Sequence, residues 1–445
     1  MDPTSPKHAR NISRSLRPRS STKGPLDAPN DPLDTDATLE IRSTADFSNY
    51  TGASFVELDP LAPDDLPQTL GKDLSFLLRY DVYHSLSQVD IPHALRAEFV
   101  GLTSEESLTS CLSTLEKLLA EGHFLLAAYL SSAILTSSLI QPTEIKIIFA
   151  LFYTRLACLE LSGNALLASQ ESKALEDLSS TFYYTEQTSE TTDTENEQKH
   201  PSQTRHIVPW PLRVLAVRLQ SIGFGDSRRG ISGLYELGLD ARTEIMRSDL
   251  SPSERDIWRE RLTDLGIRTV NALVEMGDLS AARRSLQSLQ TSGSTNKTNK
   301  MRKALLLFLI GDTDAVKQLS TESDGTDNDA FKPLLSMAEG RYDDAVTEWR
   351  ALLEDPSKVS DAAMINQNLA VCLLYTGRLN EARQILESMM QDNQPFGSLI
   401  FNLSTVYELS SDKSGTLKTQ LVDIVAKKPT TGHVNVDRPN ADFKL

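Results

Sequence analysis

The sequence predicts an all-α chain of stacked antiparallel helix pairs, a helical-repeat solenoid, preceded by a disordered N-terminal tail. Three observations carry this. Between Met364 and Pro429 the chain repeats itself: Leu369 recurs as Leu403, Ala370 as Ser404, Leu373 as Tyr407 and Pro395 as Pro429, each 34 residues on. Three glycines, Gly277, Gly340 and Gly377, are followed by similar side chains at the same spacing. No stretch of convincing length alternates apolar and polar residues as a half-buried strand does.

A 34-residue period is the length of the tetratricopeptide repeat, two antiparallel helices whose apolar faces are buried only by stacking on a neighbouring pair. Gly340 precedes Tyr342, Ala345, Trp349 and Leu352, at offsets of 2, 5, 9 and 12, and Gly377 precedes Leu379, Ala382, Leu386 and Met389 at the same offsets. Trp258 to Leu289 threads onto this template with Leu273 in the first helix, Gly277 at the turn, then Ala282, Leu286 and Leu289. The small residue belongs where two helices cross closely, and the large one nine positions after the glycine fills the gap between pairs. Glycine permits positive φ at the turn. Lys303 to Leu319 is a shorter unit around Gly311. Ile400 to Pro429 is a degenerate one, with Thr416 and Gln420 where Ala382 and Leu386 would recur, and reads as a capping unit.

In chain order, residues 1–71 are expected to be a disordered tail, basic and then acidic and Pro-rich. Lys7, Arg10, Arg14, Arg17, Arg19 and Lys23 face a single early acid, Asp2, among Ser and Pro, which leaves too little apolar surface to offset chain entropy. The arm reads either as a solvated tail or as an electrostatic contact with lipid headgroups or an acidic partner, which serine phosphorylation would cancel. Residues 72–184 are expected to form helical pairs, with Leu74, Leu77, Leu78 and Val82 on one helical face, Pro142 in the first turn of a helix, and Gly122 and Gly163 at helix ends. Residues 185–207 are expected to be a disordered acidic Thr-rich loop, 208–429 the tetratricopeptide-like repeats, and 430–445 a C-terminal tail.

Lys plus Arg number 45 against 61 Asp plus Glu, a formal charge of −16, so phosphate backbones repel the chain and nucleic acid is not an expected ligand. Cys111, Cys158 and Cys372 are odd in number and lack C-x-x-C spacing, and they read as reduced core thiols. The N-terminus has no apolar h-region, and runs such as Ile147 to Tyr153 are too short to span a bilayer, so a soluble protein is expected.

A search for chemistry returns no site. Gly71-Lys72 is followed by Asp73 where a phosphate loop needs Ser or Thr. Gly223-Phe224-Gly225 has Arg228 at the third glycine position of a dinucleotide fingerprint. His84, His93 and His123 show no metal spacing, and Asp343 and Asp344 read as a solvated helix face. No enzyme, no catalytic, metal or cofactor-binding residue and no cofactor is therefore expected.

The run Asn366-Gln367-Asn368-Leu369-Ala370-Val371-Cys372-Leu373-Leu374-Tyr375-Thr376-Gly377-Arg378-Leu379, with Phe401-Asn402-Leu403-Ser404-Thr405-Val406-Tyr407-Glu408-Leu409, resembles the C-terminal repeats of the family of subunit 12 of the transport protein particle complex, TRAPP. Leu178 to Tyr184, Val208-Pro209-Trp210-Pro211-Leu212-Arg213 and Trp258-Arg259-Glu260-Arg261-Leu262 are further points of likeness, which covers roughly residues 90 to 428. The acidic loop and the first 70 residues depart from it. The resemblance implies a scaffold subunit of the TRAPPIII assembly, in endoplasmic reticulum to Golgi vesicle transport and autophagy. Its partners would be the large arm subunits and the small core, and indirectly a Rab1/Ypt1-type GTPase. Its location would be cytoplasmic, peripheral at endoplasmic reticulum–Golgi membranes. The alternative reading is a tetratricopeptide co-chaperone or adaptor that clamps an extended peptide, for which the first helices offer Asn366, Asn402 and Arg268 among Val270, Leu273, Val274, Leu373 and Leu374.

Overall fold

The computed structural model describes residues 58–61, 72–86, 107–185, 205–289, 297–321, 330–354, 362–392 and 396–427. The basic arm, residues 186–204 of the acidic loop and the 430–445 tail lie outside the described residues.

The described chain is an all-α solenoid. Its helices are α1 (Leu108–Ala120), α2 (Phe124–Leu135), α3 (Ile145–Leu161), α4 (Ala165–Glu171), α5 (Trp210–Phe224), α6 (Ser227–Ile245), α7 (Pro252–Glu275) and α8 (Leu279–Ser288). The second half continues with α9 (Lys297–Ile310), α10 (Thr313–Thr321), α11 (Phe331–Ala338), α12 (Tyr342–Leu353), α13 (Ala362–Tyr375), α14 (Leu379–Asp392), α15 (Gly397–Ser410) and α16 (Ser414–Lys427). Each helix packs on the next from α1 to α16, which makes eight stacked pairs. Four apolar clusters follow one another along the array, from Leu74 to Leu219, Trp210 to Leu265, Ile267 to Phe331 and Ala345 to Leu421. The core is thus a ribbon between layers, as stacking of units that cannot bury their own faces requires.

The turn chemistry is the same in seven pairs. Gly122, Gly163, Gly225, Gly277, Gly311, Gly340 and Gly377 all have positive φ, from 62° to 85°. The N–H after each returns to a carbonyl five residues back, as in Asn164 to Leu159 at 2.8 Å and Arg378 to Leu373 at 2.9 Å. This is the Schellman closure, which satisfies carbonyls that the helix end leaves open. Five residues past the glycine stand Ala127, Ala168, Gly230, Ala282, Val316, Ala345 and Ala382, all buried. The glycine turn and the buried crossing position of the template therefore recur in seven pairs. At Gly230 no side chain fits: a Cβ there would meet Ser221 Cβ at 2.6 Å.

Five expectations are corrected. Residues 72–86 form single turns at Ser75–Leu77 and Tyr80–Val82 instead of a continuing helix. Leu74 N–H is drawn off to Pro142 O at 3.0 Å, and Arg79 adopts an extended backbone between the turns. Pro142 accordingly lies ahead of α3, whose N-cap is Glu144. Thr185, Arg205 and His206, placed by the sequence in the disordered loop, form a two-residue antiparallel ladder in which Tyr184 faces His206 and Thr185 faces Arg205. Residues 58–61, placed in the disordered tail, dock on the solenoid through Asp59, which caps α5.

The fifth correction concerns the last pair. In α15 the 34-residue repeat holds, since Leu403 and Tyr407 are buried like Leu369 and Leu373. In α16 Thr416 and Gln420 are exposed, while Leu417, Lys418 and Leu421 turn inward. Leu421 follows Leu386 by 35 residues, because α15 runs on to Ser410 and the turn there lacks glycine. The pair is a normal apolar one displaced by a residue, so Thr416 and Gln420 do not mark its inner face.

Candidate protein-interaction site

The three cysteines and His206 are taken up by the core. Cys111, Cys158 and Cys372 are free and buried. Burial pushes the Cys158 thiol up to about 12 and the Cys372 thiol up to about 11, away from the thiolate range. Burial, aided by Arg213, pushes the His206 ring down to about 3. Its two nitrogens meet Leu178 O and Val208 N–H, both at 3.0 Å, which suits one neutral tautomer. Among the described residues no group of three His, Cys, Asp or Glu is placed to hold a metal ion. No described helix is long and apolar enough to cross a membrane.

The residues that would clamp an acidic peptide are spread over three helices. Arg268 lies on α7 and its Nε is held by Asp264, which also takes Arg302 Nη1 at 2.6 Å. Asn366 and Asn402 lie on α13 and α15. Val270, Leu273 and Leu373 are core residues between the helices and line no groove.

Two features stand apart from the repeat core. The first is an apolar edge. Leu309, Ala338 and Tyr375 stand two residues before their turn glycines, and Leu409 holds the same place one repeat after Tyr375. The stacking operation brings this position to one edge of the last four pairs, and Leu309, Tyr375 and Leu409 are 63%, 65% and 59% exposed. Tyr375 is stacked flat on Tyr342 of the preceding pair, centroids 4.4 Å apart, which fixes its ring.

The second is a basic and aromatic slot between α5 and α7. Trp210 opens α5, and its ring meets Trp258 of α7 edge to face at 5.2 Å. The Arg261 guanidinium lies 4.5 Å from the Trp258 centroid and 5.3 Å from that of Trp210. Such placement over aromatic faces holds a cation in partly apolar surroundings. Arg213 stands over Trp210 at 5.3 Å and pairs through Nη2 with Asp240 at 2.6 Å. Its buried Nε has no hydrogen-bond partner among the described residues.

Asp59 fills this slot. Its Oδ2 accepts the Trp210 N–H at 2.9 Å, and its Oδ1 accepts from Leu61 N–H at 2.9 Å and pairs with Arg261. Pro209, the N-cap of α5, offers no side-chain acceptor, so the cap comes from a residue 151 positions earlier. The Asp59 and Arg261 side chains are 6% and 10% exposed. Burial lowers the Arg261 pKa while the Asp59 charge opposes the shift. Trp210, Arg213, Trp258 and Arg261 all fall within segments that carry the sequence resemblance. Nothing local in the sequence joins them to Asp59.

Comparison with known proteins agrees with that resemblance. No family model matches the chain. Over 419 residues it is 25% identical to trafficking protein particle complex subunit 12 of Homo sapiens, taking in 85% of this chain and 54% of that one. The chain is similar to TRAPP subunit 12. Over 260 residues it is also 25% identical to the Mus musculus protein of that name, taking in 52% of this chain and 32% of the mouse one. The chain thus spans about half the length of the human relative and about a third of the mouse one. Against the crystal structure of the P58(IPK) TPR domain the TM-score is 0.19 at 14% identity, over 71% of this chain and 92% of that one, a likeness too slight to argue from.

Proposed function

We propose that this chain is a non-catalytic scaffold subunit of the TRAPP assembly in its TRAPPIII form, acting in endoplasmic reticulum to Golgi transport and autophagy. The observation that carries the reading is the likeness to subunit 12 across 85% of the chain. The fold is compatible with it, because an eight-pair solenoid offers long edges for several partners at once. In this reading the chain helps to join the large arm subunits to the small core, where exchange on a Rab1/Ypt1-type GTPase takes place. The chain itself touches neither nucleotide nor substrate, and it reaches cytoplasmic membrane surfaces through the complex.

The test is to capture a tagged small-core subunit from cells with and without this chain. Loss of the large arm subunits from the capture when the chain is absent supports the scaffold role. An unchanged subunit set contradicts it.

A further inference from the structure

We propose that the slot formed by Trp210, Trp258, Arg261 and the N-terminus of α5 recognises an aspartate-bearing segment of a partner protein, and that residues 58–61 hold the place of that ligand in cis. The receptor half is contributed by residues 210 to 261, on two helices packed on the same neighbour, α6. The occupant comes from 151 to 202 positions earlier in the chain. It engages the slot chiefly through one carboxylate: Pro60 is exposed, and Leu58 and Leu61 are only partly buried.

The slot is selective on chemical grounds. One carboxylate must both cap a helix and pair with a guanidinium held between two indoles, while its backbone turns so that the N–H two residues on returns to the same carboxylate. An aspartate does this, whereas a glutamate is one methylene too long for the same turn. Emptied, the slot would leave Arg261 buried without a counter-charge, so some carboxylate is required there.

A partner fits better than a second copy of this chain. Leu74 and Leu77 are anchored in the first apolar cluster close behind residue 61, so Asp59 is held near its slot at an effective concentration on the order of millimolar. An identical segment from another copy makes no additional contact and so competes only weakly with it. A foreign segment that adds contacts competes more strongly.

The experiment uses the full chain carrying Asp59→Asn, which vacates the charge, and a fluorescein-labelled peptide of residues 54–65 as the probe. Saturable binding to the variant is expected, at least ten-fold tighter than to the unsubstituted chain titrated in parallel. Binding is expected to vanish when the peptide's own Asp59 is Asn or when Arg261→Gln is added. If Asp59→Asn lowers the melting temperature, the unsubstituted chain still decides: weak saturable binding that requires the peptide aspartate supports the slot. Absence of aspartate-dependent binding to either protein overturns the proposal. Light scattering separates the sources, since a monomer at all concentrations is expected, and a dimer that peptide dissociates would overturn the partner in favour of an exchanged segment.

Discussion

Arg155 and Glu171 form a two-pronged ion pair inside the first half of the solenoid, Nε to Oε2 at 2.9 Å and Nη2 to Oε1 at 2.7 Å, with side chains 1% and 0% exposed. The remaining donors and acceptors are spoken for. Arg155 reaches Ala128 O at 3.0 Å and His84 O at 2.9 Å, while Glu171 accepts the His84 N–H at 2.8 Å. The pair therefore ties residues 72–86 across α3 and α4. Removing one partner leaves the other charge buried alone, which typically costs about 3–5 kcal/mol. Glu171→Gln is accordingly expected to lower stability on that scale in chemical denaturation, and to speed hydrogen exchange at the His84 amide.

Gly230 sits at a helix crossing too close for a side chain. Its missing Cβ would meet Ser221 Cβ at 2.6 Å, an atom that rotation cannot move away. Gly230→Val is expected to destabilise by about 1–3 kcal/mol through overpacking. Gly277→Ala, with φ at +82° and nothing within 4 Å, tests the other term: its cost of about 1 kcal/mol is backbone strain alone. Thermal melts of the two variants separate steric from conformational causes.

The displacement in the last pair makes adjacent residues differ. Leu421 is 1% exposed and Gln420 is exposed. Leu421→Ala is expected to cost about 2–5 kcal/mol and Gln420→Ala less than about 0.5 kcal/mol in equilibrium unfolding. Ala382→Trp, at a fully buried crossing, is expected to lose about 1–3 kcal/mol or more.

His206 links stability to pH. Its folded-state value of about 3 lies below the ordinary 6.5, so on acidification the unfolded chain takes up the proton first. The stabilisation is complete above 6.5 and is lost progressively from there towards 3. Its slope approaches about 1.4 kcal/mol per pH unit below 6.5. Urea unfolding between pH 7 and 5.5 is expected to show this loss, and His206→Gln to lack that component.

The sequence displayed the repeat where large side chains carry it. Trp349, Leu386 and Leu286 announce the template at Gly340, Gly377 and Gly277. The first two pairs hide it, because the same position holds Ser131 and Ser172, buried hydroxyls that donate to Ala127 O and Ser169 O of their own helices at 2.7 and 2.9 Å. In the third pair the small residue is Gly230 itself. A polar residue that satisfies itself on backbone leaves no apolar signature in sequence. The Asp59 slot was illegible for a different reason, since its charge pair joins residues 202 positions apart and nothing in local spacing connects them.

The central reading is tested most directly by capturing the tagged chain itself from its native cell and weighing what accompanies it. The reading predicts one stoichiometric set containing both the small TRAPP core and the large arm subunits. A stoichiometric set of partners without any TRAPP subunit would contradict it.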